Sequence, residues 1–138
     1  YLYFMKDEKL ENKNTEPTKS EIEILQILWQ YGPSTVRFVN DALNELKRSV
    51  QYTSTLKLMQ IMTEKGILIR DESSMKHIYH VVEEEQKTKN QLLDRFVDSM
   101  YKGSVGNLVL QLLGNKKASK EEIQAIKQML KELDKEDN

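Results

Sequence analysis

Residues 52–82, YTSTLKLMQIMTEKGILIRDESSMKHIYHVV, change their period at Gly66. Before the glycine, Thr55, Leu58, Met59 and Met62 recur at three- and four-residue spacing. Tyr52-Thr53-Ser54 therefore leads into a helix that ends at Glu64-Lys65-Gly66, with Gly66 suited to the left-handed position after the helix. Beyond it, residues 67–72 and 77–82 are β-rich runs separated by Ser73-Ser74-Met75-Lys76, which predicts a hairpin. On a helical wheel, the side opposite the methionines carries Thr53, Lys57, Gln60 and Glu64, with Ser54, Leu56 and Ile61 at the flanks.

Upstream, Thr18-Lys19-Ser20-Glu21 has the form of a capping box and starts a first helix. Ile22, Leu25, Ile27, Leu28 and Trp29 give it one apolar stripe, and Gly32-Pro33 stops it at about Tyr31. Ser34 or Thr35 can cap a second helix, in which Val36, Val39, Ala42, Leu43 and Leu46 form the inner stripe. Arg37, Asn40, Asn44, Lys47 and Arg48 are assigned to its exposed face. Residues 1–17 carry no apolar period, and Tyr1-Leu2-Tyr3-Phe4 before Met5 read as a tag remnant followed by a flexible arm.

Downstream, the helical period returns over about 84–100, 105–113 and 120–133, with breaks at Lys102-Gly103-Ser104 and Gly114-Asn115. Ser119-x-x-Glu122 repeats the capping-box signal. These segments are apolar in stripes that include Leu92, Phe96, Met100, Leu108, Val109, Leu112, Leu113, Ile126 and Leu130. Three short helices do not easily bury that much surface alone, so a homodimerisation segment is expected. The competing reading is that they fold back on the N-terminal part as one monomeric core.

The resulting fold class is mainly α with a small β-hairpin: a winged helix-turn-helix over 18–82 and a helical dimerisation domain over 83–138. In such a unit the third helix enters the major groove of double-stranded DNA and the wing touches flanking backbone. Thr53 and Ser54 can then meet a phosphate or a thymine methyl, while Lys57 and Gln60 reach base edges. Arg37, Lys47, Arg48 and, at the wing tip, Lys76 are candidate phosphate contacts. An ordinary solvated helix face would use the same residue types.

Composition removes several alternatives. The net charge is −1, with eight Lys/Arg against seven Asp/Glu in residues 18–82 and ten against eleven in 83–138. Any DNA-facing charge must be local, and dimerisation would multiply two modest half-site contacts. The absence of cysteine rules out disulfides, thiolate metal sites and cysteine nucleophiles, and fits a cytoplasmic protein. No apolar run is long enough to span a bilayer, so no membrane insertion is expected. His77 and His80 lie three apart on a strand, on opposite faces, and complete no metal site. No nucleophile elbow, P-loop or His-carboxylate pair suggests an enzyme or a cofactor.

Several stretches together resemble a known family. They are Thr18-x-x-Glu21-x-x-Ile24-Leu25-x-Ile27-Leu28-Trp29, residues 52–66 through the Glu64-Lys65-Gly66 close, Tyr101-Lys102-Gly103, and Leu108-Val109-Leu110. From about Thr18 to Leu133 the chain resembles the penicillinase and methicillin-resistance repressors (BlaI/MecI/CopY type). The resemblance implies a dimeric transcriptional repressor that binds a palindromic operator until a membrane sensor metalloprotease triggers its cleavage. It implies DNA reading by Thr53, Ser54, Lys57 and Gln60, and dimerisation through 105–113. The family's antibiotic-responsive members are cut at an Asn-Phe bond in that segment, and the matching candidate cleavage position here is Gln111-Leu112. A copper-responsive branch carries C-terminal cysteine pairs, which this chain lacks. A reading from another class is a winged-helix adaptor that binds protein and not DNA.

Overall fold

The computed structural model describes residues 16–136, in two compact units that meet in sequence after Asn90. Of the segment read as a tag remnant and arm, all but Glu16 and Pro17 lies outside the described residues. The elements follow the expected order: α1 Lys19–Tyr31, α2 Val36–Leu46, α3 Tyr52–Glu64, β1 Leu68–Asp71, β2 Ile78–Val81, α4 Glu85–Tyr101, α5 Val105–Gly114 and α6 Lys120–Glu136. The fold is mainly helical, with one antiparallel two-stranded hairpin in the arrangement of a winged helix followed by three further helices.

Each N-terminal helix has a local reason to start and stop where it does. At α1 the Glu21 N–H donates to Thr18 Oγ1 at 3.3 Å and the Thr18 N–H to Glu21 Oε1 at 2.8 Å, closing the capping box. Gly32, at φ +85°, ends the helix with its N–H on the Leu28 carbonyl. Of the two candidate caps for α2, Thr35 holds the position by accepting from the Phe38 N–H at 3.1 Å. Ser34 instead exchanges two backbone hydrogen bonds with Tyr79, which ties the α1–α2 connection to the hairpin. Gly66, at φ +82°, sits just beyond α3 in the conformation that side chains disfavour.

The hairpin pairs Leu68 with Val81 and Asp71 with Ile78. Its regular ladder is one residue shorter at each end than the β-rich runs, although the Val82 N–H still donates to the Ile67 carbonyl at 3.0 Å. Leu68 and Tyr79 turn into the core beside Ile24, Leu25, Ile27, Leu28, Val36, Val39, Leu43, Met59 and Met62. Burying each large apolar side chain stabilises the unit by about 1.5–3 kcal/mol relative to leaving it in water.

Two assignments on α2 change. Asn40, expected outside, is only 4% exposed, and Leu46, expected inside, is 53% exposed. Position 40 lies four residues after Val36 and three before Leu43, both buried, so the helical period itself puts it inward. Only its polar residue type argued otherwise. Leu46 is the last residue of α2, beyond the stripe formed by Val39, Ala42 and Leu43.

In the second unit, α5 is capped by Ser104, which accepts from the Asn107 N–H at 3.1 Å. The Ser119–Glu122 capping box starts α6, with both of its hydrogen bonds formed. Phe96 and Tyr101 meet edge to face at 5.8 Å between ring centres, and the Tyr101 hydroxyl donates to Gln111 Oε1 at 2.8 Å. No residue of α5 or α6 is buried. Met100 is 66% exposed and Leu130 58%, while Leu92, Leu108 and Ile126 are half-buried. Among the described residues, no helix is long and apolar enough to cross a membrane.

Candidate nucleic-acid interface

Helix α3 buries Thr55, Met59 and Met62 and leaves Thr53, Ser54, Lys57, Gln60 and Glu64 exposed. The four expected DNA-reading side chains therefore share the outer surface of one rigid element, two of them in its first turn. Gln51 makes no side-chain cap at that end, and its carbonyl accepts from the Ser54 and Thr55 N–H groups instead.

Two asparagines that the sequence reading placed on the surface fix the start of this helix. Asn40 Nδ2 donates to Thr55 Oγ1 at 2.8 Å and to the Val50 carbonyl at 3.0 Å. Asn44 brackets the same residue, with its Oδ1 accepting from the Val50 N–H at 2.9 Å and its Nδ2 donating to the Val50 carbonyl at 2.9 Å. The turn between α2 and α3 is thereby held by side chains of α2, and α3 cannot shift without breaking bonds to a nearly buried amide. The signal was available in the spacing 36, 39, 40, 43, which is a core period. Replacing Asn40 by alanine is expected to cost about 1–3 kcal/mol, because the Thr55 hydroxyl is left in the interior without its partner. Urea unfolding would register this as a lower midpoint at unchanged m-value, and an unchanged midpoint would contradict it.

A second internal tie joins the two motifs that stand out in the sequence, Thr18-x-x-Glu21 and Glu64-Lys65-Gly66. Lys65 Nζ lies 2.8 Å from Glu21 Oε1, and the Glu21 side chain is almost fully shielded from water. Burial pushes the Glu21 carboxyl up, but the Lys65 ammonium together with the Thr18 backbone N–H and hydroxyl outweigh it and hold the group below the usual carboxylate range. Its second oxygen, Oε2, is buried without a hydrogen-bond partner. The pair bolts the end of α3 to the start of α1.

The cationic candidates fall in two groups flanking α3. On one flank, a depression of about 410 Å³ is bordered by Arg48, Ser54 and Lys57, with Ser20 and Thr18 from α1 and its cap opposite. Arg48 is shared with Glu23 at 3.3 Å, a half-exposed contact of small energetic weight. On the other flank, an open cavity of about 510 Å³ brings Arg37 of α2 and Tyr52 of α3 together with Lys76 and His77 of the wing. The Arg37 guanidinium stacks over the Tyr52 ring, 4.1 Å from its centre. Neither cavity has a carboxylate in its lining. Lys47, at the end of α2, is exposed and lines neither, and the same holds for Gln60 on the outer surface of α3.

This geometry contains no arrangement for catalysis, and among the described residues no group of three His, Asp or Glu side chains could hold a metal ion. What it offers is a polar helix face between two carboxylate-free basic depressions. Comparison with known proteins agrees with that reading. A model of the penicillinase repressor family matches residues 17–132. The methicillin resistance regulatory protein MecI of Mammaliicoccus sciuri is 22% identical over 121 residues, spanning 88% of this chain and 98% of that protein. Its counterparts from Staphylococcus aureus (strain N315) and Staphylococcus epidermidis are each 24% identical over 123 residues, with the same coverage. The chain belongs to the penicillinase repressor family, a family of transcriptional repressors and not of enzymes.

Proposed function

We propose that this repressor acts as a homodimer on a palindromic operator, with α3 of each subunit in the major groove. The observation that carries this is the exposed Thr53, Ser54, Lys57 and Gln60 face, flanked by carboxylate-free basic depressions on both sides. Lys57 and Gln60 read base edges, and Thr53 and Ser54 meet phosphate or a thymine methyl. Arg37 and Lys76 on one flank, and Lys47 and Arg48 on the other, hold the backbone. Residues 18–82 form the DNA-binding domain and residues 83–138 the dimerisation domain.

The dimer reading is supported by the apolar surface that α4–α6 leave uncovered, in particular Leu92, Phe96 and Met100 on α4, Leu108, Val109, Leu112 and Leu113 on α5, and Ile126 and Leu130 on α6. A signal that opens this segment separates the two half-site contacts and ends their mutual reinforcement. In the family's proteolytic route the signal is a sensor protease, and the bond in question here is Gln111-Leu112. Gln111 is already engaged by Tyr101 through its side chain.

Gel retardation with DNA from upstream of the protein's own gene, combined with sedimentation of the free protein, tests the proposal. A dimer at micromolar concentration and a complex of two chains per duplex are expected. A strictly monomeric species would overturn the dimerisation segment. Failure to retard any palindrome, together with a stoichiometric protein partner, would favour the adaptor reading instead.

A further inference from the structure

The cavity between the wing and the first turn of α3 holds more positive charge than DNA contact at the wing tip requires. It is bordered by Arg37 from α2, Tyr52 from α3, and Lys76, His77 and Tyr79 from the hairpin. Stacking on Tyr52 orients the Arg37 guanidinium while leaving its N–H groups available, and no ion pair involves it among the described residues. Side chains alternate along the hairpin, so His77 shares the cavity side with Tyr79 while His80 faces the other way. No carboxylate borders the cavity. The hairpin's own acids are engaged elsewhere: Asp71 accepts from the Ser73 N–H at 2.9 Å, and Glu72 pairs with Arg70.

We infer that this cavity is a backbone-phosphate clamp in which His77 is the third, titratable cation, so that each wing takes up a proton when the protein binds DNA. The inference rests on the DNA-binding reading above. An imidazole changes charge just below neutral pH, and a phosphate beside it favours the charged form. Arg37 and Lys76 already stand in the same cavity, so charging His77 is unfavourable until an anion arrives. Occupation by phosphate and protonation of His77 therefore promote one another, by linkage. The chain contains only two histidines and no cysteine, so His77 and His80 are the only side chains whose ordinary titration falls in this range.

The contact is to backbone, so a short DNA duplex of random sequence serves as the probe. Its affinity should be measured at about pH 6 and about pH 8 at fixed low salt, for the full chain and for His77→Gln, His77→Arg and His80→Gln. Tighter binding at the lower pH is expected, by roughly three- to tenfold, with the log-log salt slope steeper by about 0.9 for each wing engaged. His77→Gln should remove the pH effect while keeping the affinity seen at pH 8. His77→Arg should bind tightly at both pH values, and His80→Gln should behave as the parent. Binding that is independent of pH, or a pH effect that survives His77→Gln, overturns the clamp and leaves the DNA-binding reading standing. Absence of binding at every pH overturns both.

Discussion

Replacing Lys65 by methionine should destabilise the winged-helix unit by about 3 kcal/mol at neutral pH, because breaking a buried ion pair leaves the other charge without compensation. The partner left behind is Glu21, whose side chain is shielded from water and whose Oε2 already lacks a hydrogen-bond partner. A loss of this size is a large share of the 5–15 kcal/mol that holds a typical domain together. The pH dependence carries a second signature. In the parent protein the folded-state carboxyl is held below its ordinary range. Its stabilising contribution is therefore fully present above the unfolded value of about 4.3, and is lost as pH falls through the lower folded value. Without Lys65, burial is opposed only by Thr18, and the carboxyl accepts a proton more readily. The gap between variant and parent should therefore narrow as pH falls toward about 4–5. Urea unfolding at neutral and mildly acidic pH checks both statements. Equal midpoints at neutral pH would mean that the pair contributes nothing.

Replacing Lys57 and Gln60 together by alanine should abolish discrimination between operator and random DNA without weakening the fold. Both side chains are exposed on α3, so their removal empties no part of the core. Each well-formed side-chain contact to a base edge is worth about 1–3 kcal/mol of discrimination, so a loss on the order of a hundredfold in the operator-to-random affinity ratio is expected. The phosphate cations behave differently. Arg37→Ala or Lys76→Ala should weaken binding to both kinds of DNA nearly equally and reduce the salt slope by about 1. Competition titrations separate the two patterns. An unchanged affinity ratio in the double variant would remove α3 from the reading role.

The element order was legible in the sequence because three independent signals coincided at each boundary. The Thr18–Glu21 capping box, the Gly32-Pro33 stop and the glycine at 66 all mark ends that the structure confirms to within a residue or two. The exposed face of α3 was legible for the same reason, since Thr55, Met59 and Met62 leave one consistent opposite side. Asn40 was misjudged because residue type and helical period disagreed there, and the period was the better guide. What a single sequence cannot display is pairing over distance. The Lys65–Glu21 tie spans 44 positions, and the meeting of Arg37, Tyr52 and His77 depends on how the hairpin folds against α2 and α3. The near-neutral total charge was uninformative because it averages over the carboxylate-free depressions and the acidic remainder.

The central claim is that basic side chains flanking α3 hold a DNA backbone in a dimeric complex. It is tested most directly by the salt dependence of binding to a fragment from upstream of the protein's own gene. With Arg37, Lys47, Arg48 and Lys76 engaged in each of two subunits, the log of the association constant should fall against the log of salt concentration with a slope of about −7 near pH 8. A slope near zero, or no complex at low salt, would contradict the claim.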